Sequence, residues 1–138
     1  MKRSLLCAFL LTACIAMANG QIVVIAHPTV PGSSIDKETL IDIYMLTMTK
    51  WEDDTPVRVF ALKKGTVGTE SFYGSLGLNI LTLNKQWMRK QLTGEGRAPA
   101  LVSEEEIVAR VAATPGAIGF VDASRVTANV KVLRKVTQ

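Results

Sequence analysis

The segment FALKKGTVGTESF, Phe60 to Phe72, places Lys63 and Lys64 ahead of Gly65, Thr66, Gly68 and Thr69. Those residue types suit an anion. Glycines let consecutive backbone N–H groups turn into one concavity, and the start of a following helix adds unsatisfied donors and a positive end. Thr66 and Thr69 would add hydroxyl donors, and Lys63 or Lys64 the charge. Glu70 works against this, since a first-turn acid favours the helix but repels a bound anion. A capped helix start with solvent-facing lysines explains the same residues, and both readings stand at this point. The segment is not a nucleotide P-loop, because no Gly-Lys-Ser/Thr follows its glycines.

The rest of the chain offers little competing chemistry. His27 is the single histidine, at a predicted strand end beside Pro28, and no Gly-x-Ser-x-Gly elbow accompanies it to suggest a catalytic triad. A lone histidine without thiols does not make a metal site. Glu52-Asp53-Asp54 reads as a turn, Glu104-Glu105-Glu106 as a capped helix start, Trp51 and Trp87 as core or core-edge residues, and Arg97 as a solvated loop cation able to reach an anion. No enzymatic activity and no cofactor are expected.

The first twenty residues, MKRSLLCAFLLTACIAMANG, have a basic start, an apolar middle and a small-residue end, the pattern of a secretory signal peptide cleaved before Gln21. The alternative is LTAC, Leu11 to Cys14, which resembles a lipobox that would anchor a lipoprotein at Cys14. Both cysteines fall in this leader, so the mature chain is expected to lack disulfides and thiol metal sites, as suits a periplasmic domain. The 138-residue chain carries a formal charge of +4, and two of its basic residues, Lys2 and Arg3, go with the leader. The near-neutral remainder, without a basic stripe interleaved with aromatics, argues against nucleic acid. Residues 21–138 are expected to form a single domain with one core.

The elements that must hold the loop follow from apolar pattern and punctuation. QIVVIAHP, Gln21 to Pro28, reads as a central strand buried on both faces. Asp36 caps a helix, with Ile35 and Leu40 at the staple positions. VRVFAL is a second strand, and Phe72 to Leu78 and Leu83 to Leu92 are two helices joined near Asn79. Thr93 to Pro99 is a loop. Ser103 and Glu106 form a capping box, with Val102 and Ile107 as staple, for a helix from Glu104 to Ala113. Ala117 to Val121 and Val130 to Val136 are closing strands. The alternation implies an α/β fold: a small, mainly parallel or mixed sheet flanked by helices.

This order of features resembles the periplasmic phosphate-binding proteins of ABC-type uptake systems, in the type 2 solute-binding-protein superfamily. The resemblance rests on IVVIAHP, LIDIYMLTMTKW before DDTPVRVF, KKGTVGTESF, TGEGRAP and VAATPGAIGFV. It implies one lobe of a two-lobed binding protein, with the phosphate held by an arginine and a Ser-Gly-Thr at a helix start. On this chain the threonine is Thr69 and the glycine Gly68, while Val67 stands for the serine and Lys63 for the arginine. Leu46 stands where the family has a glycine after its Ile-Phe or Ile-Tyr pair. The implied ligand is phosphate or a related inorganic oxyanion, bound at Lys63, Lys64, Gly65, Thr66, Gly68 and Thr69. The implied partners are an ABC permease, a second lobe or a second copy of the chain. The alternative is a periplasmic interaction or sensor-accessory module that has lost its ligand.

Overall fold

A computed structural model describes residues 21–136. The expected leader, with its signal-peptide and lipobox readings, lies outside the described residues. The strands are β1 (Ile22–Ala26), β2 (Arg58–Leu62), β3 (Ala100–Val102), β4 (Ala117–Asp122) and β5 (Lys131–Lys135). The helices are α1 (Lys37–Tyr44), α2 (Thr69–Ser75), α3 (Ile80–Thr93) and α4 (Glu104–Ala113). The five strands form one mixed sheet in the order β3-β2-β4-β1-β5. β2 runs parallel to β3 and β4, and β1 runs antiparallel to β4 and β5. The expected α/β fold with a mixed sheet is what forms. β1 is buried along its whole length between two partners, as its unbroken Val/Ile run requires.

The two faces of β4 show how the layers close. On one face Gly119 has no side chain, and a Cβ there would lie 3.1 Å from Ile107 Cδ1, so α4 packs closely on the sheet. On the other, Phe120 stacks on Phe72 with ring centroids 3.9 Å apart and meets Tyr44 and Tyr73 edge-on. Trp87 closes this cluster and donates its indole N–H to the Tyr44 carbonyl at 2.6 Å. The Tyr44 hydroxyl donates to the Phe60 carbonyl at 2.9 Å, which ties α1 to β2. Trp51 and Trp87 are both core residues.

Helix ends depart from expectation in instructive ways. Asp36 caps α1, accepting from Thr39 N at 2.9 Å, with Ile35 and Leu40 buried as the staple. α4 has the expected limits, but the capping box does not form: the Ser103 side chain makes no cap hydrogen bond, and its carbonyl accepts from Glu106 N and Ile107 N instead. Val102 and Ile107 are nonetheless buried together in the core. α2 starts and ends three residues earlier than the predicted Phe72 to Leu78, because Gly68 precedes its first turn. α3 starts earlier than Leu83 because Asn79 accepts from Leu81 N and Thr82 N. β3 was not expected. It is three residues long and pairs only with Phe60–Leu62.

Candidate anion site

β2 delivers the chain to the edge where the candidate site sits. Lys63 N still donates to Val102 O at 3.0 Å, extending the β2–β3 ladder by one bond. Two consecutive turns follow. Thr66 N donates to Lys63 O at 3.1 Å, and Thr69 N to Thr66 O at 3.2 Å. Gly65 and Gly68 occupy their third positions with φ of 87° and 96°, the left-handed conformation that a type II turn requires there. Gly68 has a second constraint, since a Cβ would lie 2.4 Å from Ile22 Cδ1.

The turns use the amides of Thr66 and Thr69. Among the described residues, no carbonyl accepts from the amides of Gly65, Val67 or Gly68. Gly68 is the N-cap of α2 and supplies no side-chain cap. The amides of Gly65, Val67 and Gly68 are thus the donors that the loop leaves to water or a ligand, while Thr69 N, the first amide of the helix, is already taken by the Thr66 carbonyl.

A hollow of about 370 Å³ opens at this point, lined by Lys64 to Ser71 and by Ile80. It brings together five of the six expected residues: Lys64, Gly65, Thr66, Gly68 and Thr69. Lys63 is exposed and does not line it. Val67 points to solvent at 82% exposure and leaves the hollow unplugged. Among the described residues neither lysine, nor Glu70, is in an ion pair, so Lys64 and Glu70 bring opposite charges to the rim.

Thr69 supplies the most informative atom. The residue is 4% exposed, and its Oγ1 is buried without a hydrogen-bond partner. A buried unpaired hydroxyl costs about 1–3 kcal/mol, so a fold that keeps one beside a hollow bears a cost that a ligand oxygen could remove.

Other sequence candidates lie elsewhere. His27 follows β1 and donates its amide to Ala117 O, placing it at the end of the sheet where β2 begins, while the loop follows the end of β2. Its Nδ1 accepts from Thr29 N at 3.1 Å, which puts the ring proton on Nε2 when the ring is neutral. Arg97 also lies at that end. Glu52-Asp53-Asp54 forms the expected turn, with Asp53 accepting from Thr55 N. Among the described residues there is no cluster of three or more potential metal ligands, and no helix is long and apolar enough to cross a membrane. Sequence reasoning missed Ile80 and Ser71 in the hollow's wall; the Asn79 cap was the only local signal that α3 begins there.

A family model described as the PBP superfamily domain matches residues 12–137. The chain belongs to the PBP superfamily. Solved structures sharing this PBP fold include a Clostridium perfringens protein described as a phosphate ABC transporter substrate-binding protein with bound phosphate, at TM-score 0.68 and 20% identity over 83% of this chain. An ABC-type phosphate transport receptor from Vibrio cholerae superposes at 0.65 and 17% identity, and PstS from Borrelia burgdorferi at 0.62 and 17%, each over 83% of this chain. The PBP domain spans less than half of those proteins, covering 44%, 46% and 46% of their lengths. No curated protein matches it.

Within this PBP domain the departures from the family pattern have structural counterparts. Val67, in the serine's place, presents no side-chain donor to the hollow, and Lys63, in the arginine's place, lies outside its lining. Leu46 adopts φ 62°, the left-handed conformation that a glycine would take without strain.

Proposed function

We propose that residues 21–138 form one exported periplasmic domain, following a cleaved signal peptide over residues 1–20. It binds phosphate or a related oxyanion at Lys64, Gly65, Thr66, Gly68 and Thr69, with Lys63 adding charge from outside the hollow. The domain is a binding component of phosphate-type ABC uptake or sensing and catalyses no reaction. The observation that carries this reading is the buried, unpartnered Thr69 Oγ1 beside the hollow. Phosphate-binding proteins of the same fold support it.

Affinity follows from the count of donors. Hydrogen bonds to a charged group contribute about 1.5–3 kcal/mol each, and association costs about 4–15 kcal/mol. One open wall therefore binds weakly, and a second lobe or a second copy of the chain would complete the cleft. Calorimetric titration with phosphate, sulfate and small carboxylates tests this. The expected result is a saturable millimolar isotherm for one oxyanion, about tenfold weaker in Thr69→Ala. Silence for every anion sinks the proposal.

A second reading is favoured by α3. Leu81, Met88 and Leu92 recur along one side of the helix, 62%, 66% and 81% exposed, opposite the buried Leu83 and Trp87. Such a stripe suits an interaction or sensor-accessory module. It prevails if titrations are silent while a permease or sensor crosslinks to the wild type and not to Leu81→Ser/Met88→Ser/Leu92→Ser.

A further inference from the structure

A cavity of about 550 Å³ lies at the end of β2 remote from the anion loop. β3 pairs only with Phe60–Leu62, so the edge of β2 beside Val57–Val59 is left without a strand on that side. The loop around Arg97 and the segment after α1 frame the resulting space. It shares no lining residue with the hollow of the anion loop.

The chemistry of its wall is two-part. Arg58, Arg97 and Arg110 all line it, and no acidic side chain does. Among the described residues none of the three is in an ion pair. Arg110 lies with its guanidinium carbon 5.5 Å from the centre of the Phe60 ring, a cation–π contact. Leu46, Met48, Val57, Val59 and Ala98 give the same wall an apolar part, with Val57 and Val59 on the opposite side of the strand edge from Arg58.

Leu46 adds an independent observation. It follows α1 in the left-handed conformation, where a non-glycine residue costs about 1–2 kcal/mol. The strain is held in place by Leu46 N donating to Ile43 O at 3.0 Å and by Lys90 Nζ donating to Leu46 O at 3.2 Å. The result is a leucine side chain, 5% exposed, packed directly against Gly96 in the cavity wall. A glycine there would relieve the strain and remove the apolar surface.

From this geometry we infer that the cavity is a second binding site, for a small organic anion whose carboxylate or phosphate-ester group meets the arginines and whose apolar body lies against Leu46, Val57 and Val59. A volume of this size fits an organic ligand, and a fully hydrated inorganic anion has nothing to gain from the apolar wall. The guanidinium fork suits carboxylate and phosphate ester alike. The inference is independent of the anion loop.

Nitrogen-15 HSQC titrations of the full chain with benzoate, phenyl phosphate, inorganic phosphate and neutral benzyl alcohol test it. The expected result is saturable shifts at Arg58, Arg97, Ala98 and Arg110 with benzoate or phenyl phosphate, and none at those residues with inorganic phosphate or benzyl alcohol. Benzoate alone assigns a carboxylate, phenyl phosphate alone a phosphate ester, and both the shared anionic chemistry. Arg97→Gln/Arg110→Gln should weaken binding about tenfold or more, and the exposed single change Arg97→Gln serves if the pair does not fold. Thr69→Val should leave this binding unchanged. Absence of shifts with both organic anions, equal shifts with benzyl alcohol, or affinity indifferent to Arg97→Gln and to the pair overturns it.

Discussion

At its carboxyl end β2 releases the chain into two glycine turns, whereas at its amino end the strand is held on several sides. The Gly116 carbonyl accepts from both Arg58 N at 3.0 Å and Trp51 Nε1 at 2.9 Å. A Cβ at Gly116, with φ of 80°, would lie 2.3 Å from the Pro56 carbonyl oxygen. At Gly65, with φ of 87°, nothing lies within 4 Å. The same left-handed glycine thus serves two purposes. Beside Gly116 it permits backbone to close on backbone; at Gly65 it shapes a loop that faces open space. Room for a ligand is left at the Gly65 turn and denied on the β4 side of the amino end, where backbone closes on Gly116; the cavity beside Val57–Val59 opens on the other edge of the same strand.

Alanine substitutions in urea denaturation should separate the two ends. Gly116→Ala combines forbidden φ with an immovable carbonyl and should cost about 3 kcal/mol or more. Gly68→Ala should cost about 2 kcal/mol, because the clash is with the movable end of Ile22. Gly65→Ala, with strain alone, should cost about 1 kcal/mol. Equal losses at Gly116 and Gly65 would erase the contrast between the ends.

Thr69→Val tests the loop in the opposite direction. It removes the orphaned hydroxyl at nearly constant shape, so the expected outcome is a gain of about 1 kcal/mol in stability together with weaker oxyanion binding. A loss of stability would mean that the hydroxyl is satisfied in solution without a ligand.

The smallest effect belongs to Asp36, whose hydrogen bonds from Thr39 hold its carboxyl below the ordinary value of 3.8. A depressed folded value means that the contribution is present above 3.8 and lost as pH falls through the folded value. Asp36→Asn keeps a capping acceptor, so thermal melts should show a slightly flatter acid limb and little change at neutral pH. An unchanged acid limb would indicate that Asp36 titrates alike in folded and unfolded chains.

What was legible in the sequence was what depends on neighbours along the chain. The β1 run, the Asp36 cap, the limits of α4 and the glycines of the loop are local signals, and the structure has each in place. The contacts that shape the two ends of β2 are not local. Gly68 is constrained by Ile22 and Gly116 by Pro56, at separations no spacing rule reveals. β3 carries only three residues, too few for an alternating pattern, and its shortness is what opens the cavity beside β2. Arg58, Arg97 and Arg110 come from three different elements, so their convergence had no sequence signature. The Ser103–Glu106 pair failed for the converse reason: the motif was present, but the helix start is held by the Ser103 carbonyl and the buried Val102.

The most direct measurement is a nitrogen-15 HSQC titration of the wild type and Thr69→Val with inorganic phosphate. The expected result is progressive downfield movement of the Gly65, Val67 and Gly68 amides in the wild type, strongly reduced in the more stable Thr69→Val. Amides that stay fixed as phosphate rises, or that move identically in both proteins, would contradict an anion cradle built around the Thr69 hydroxyl.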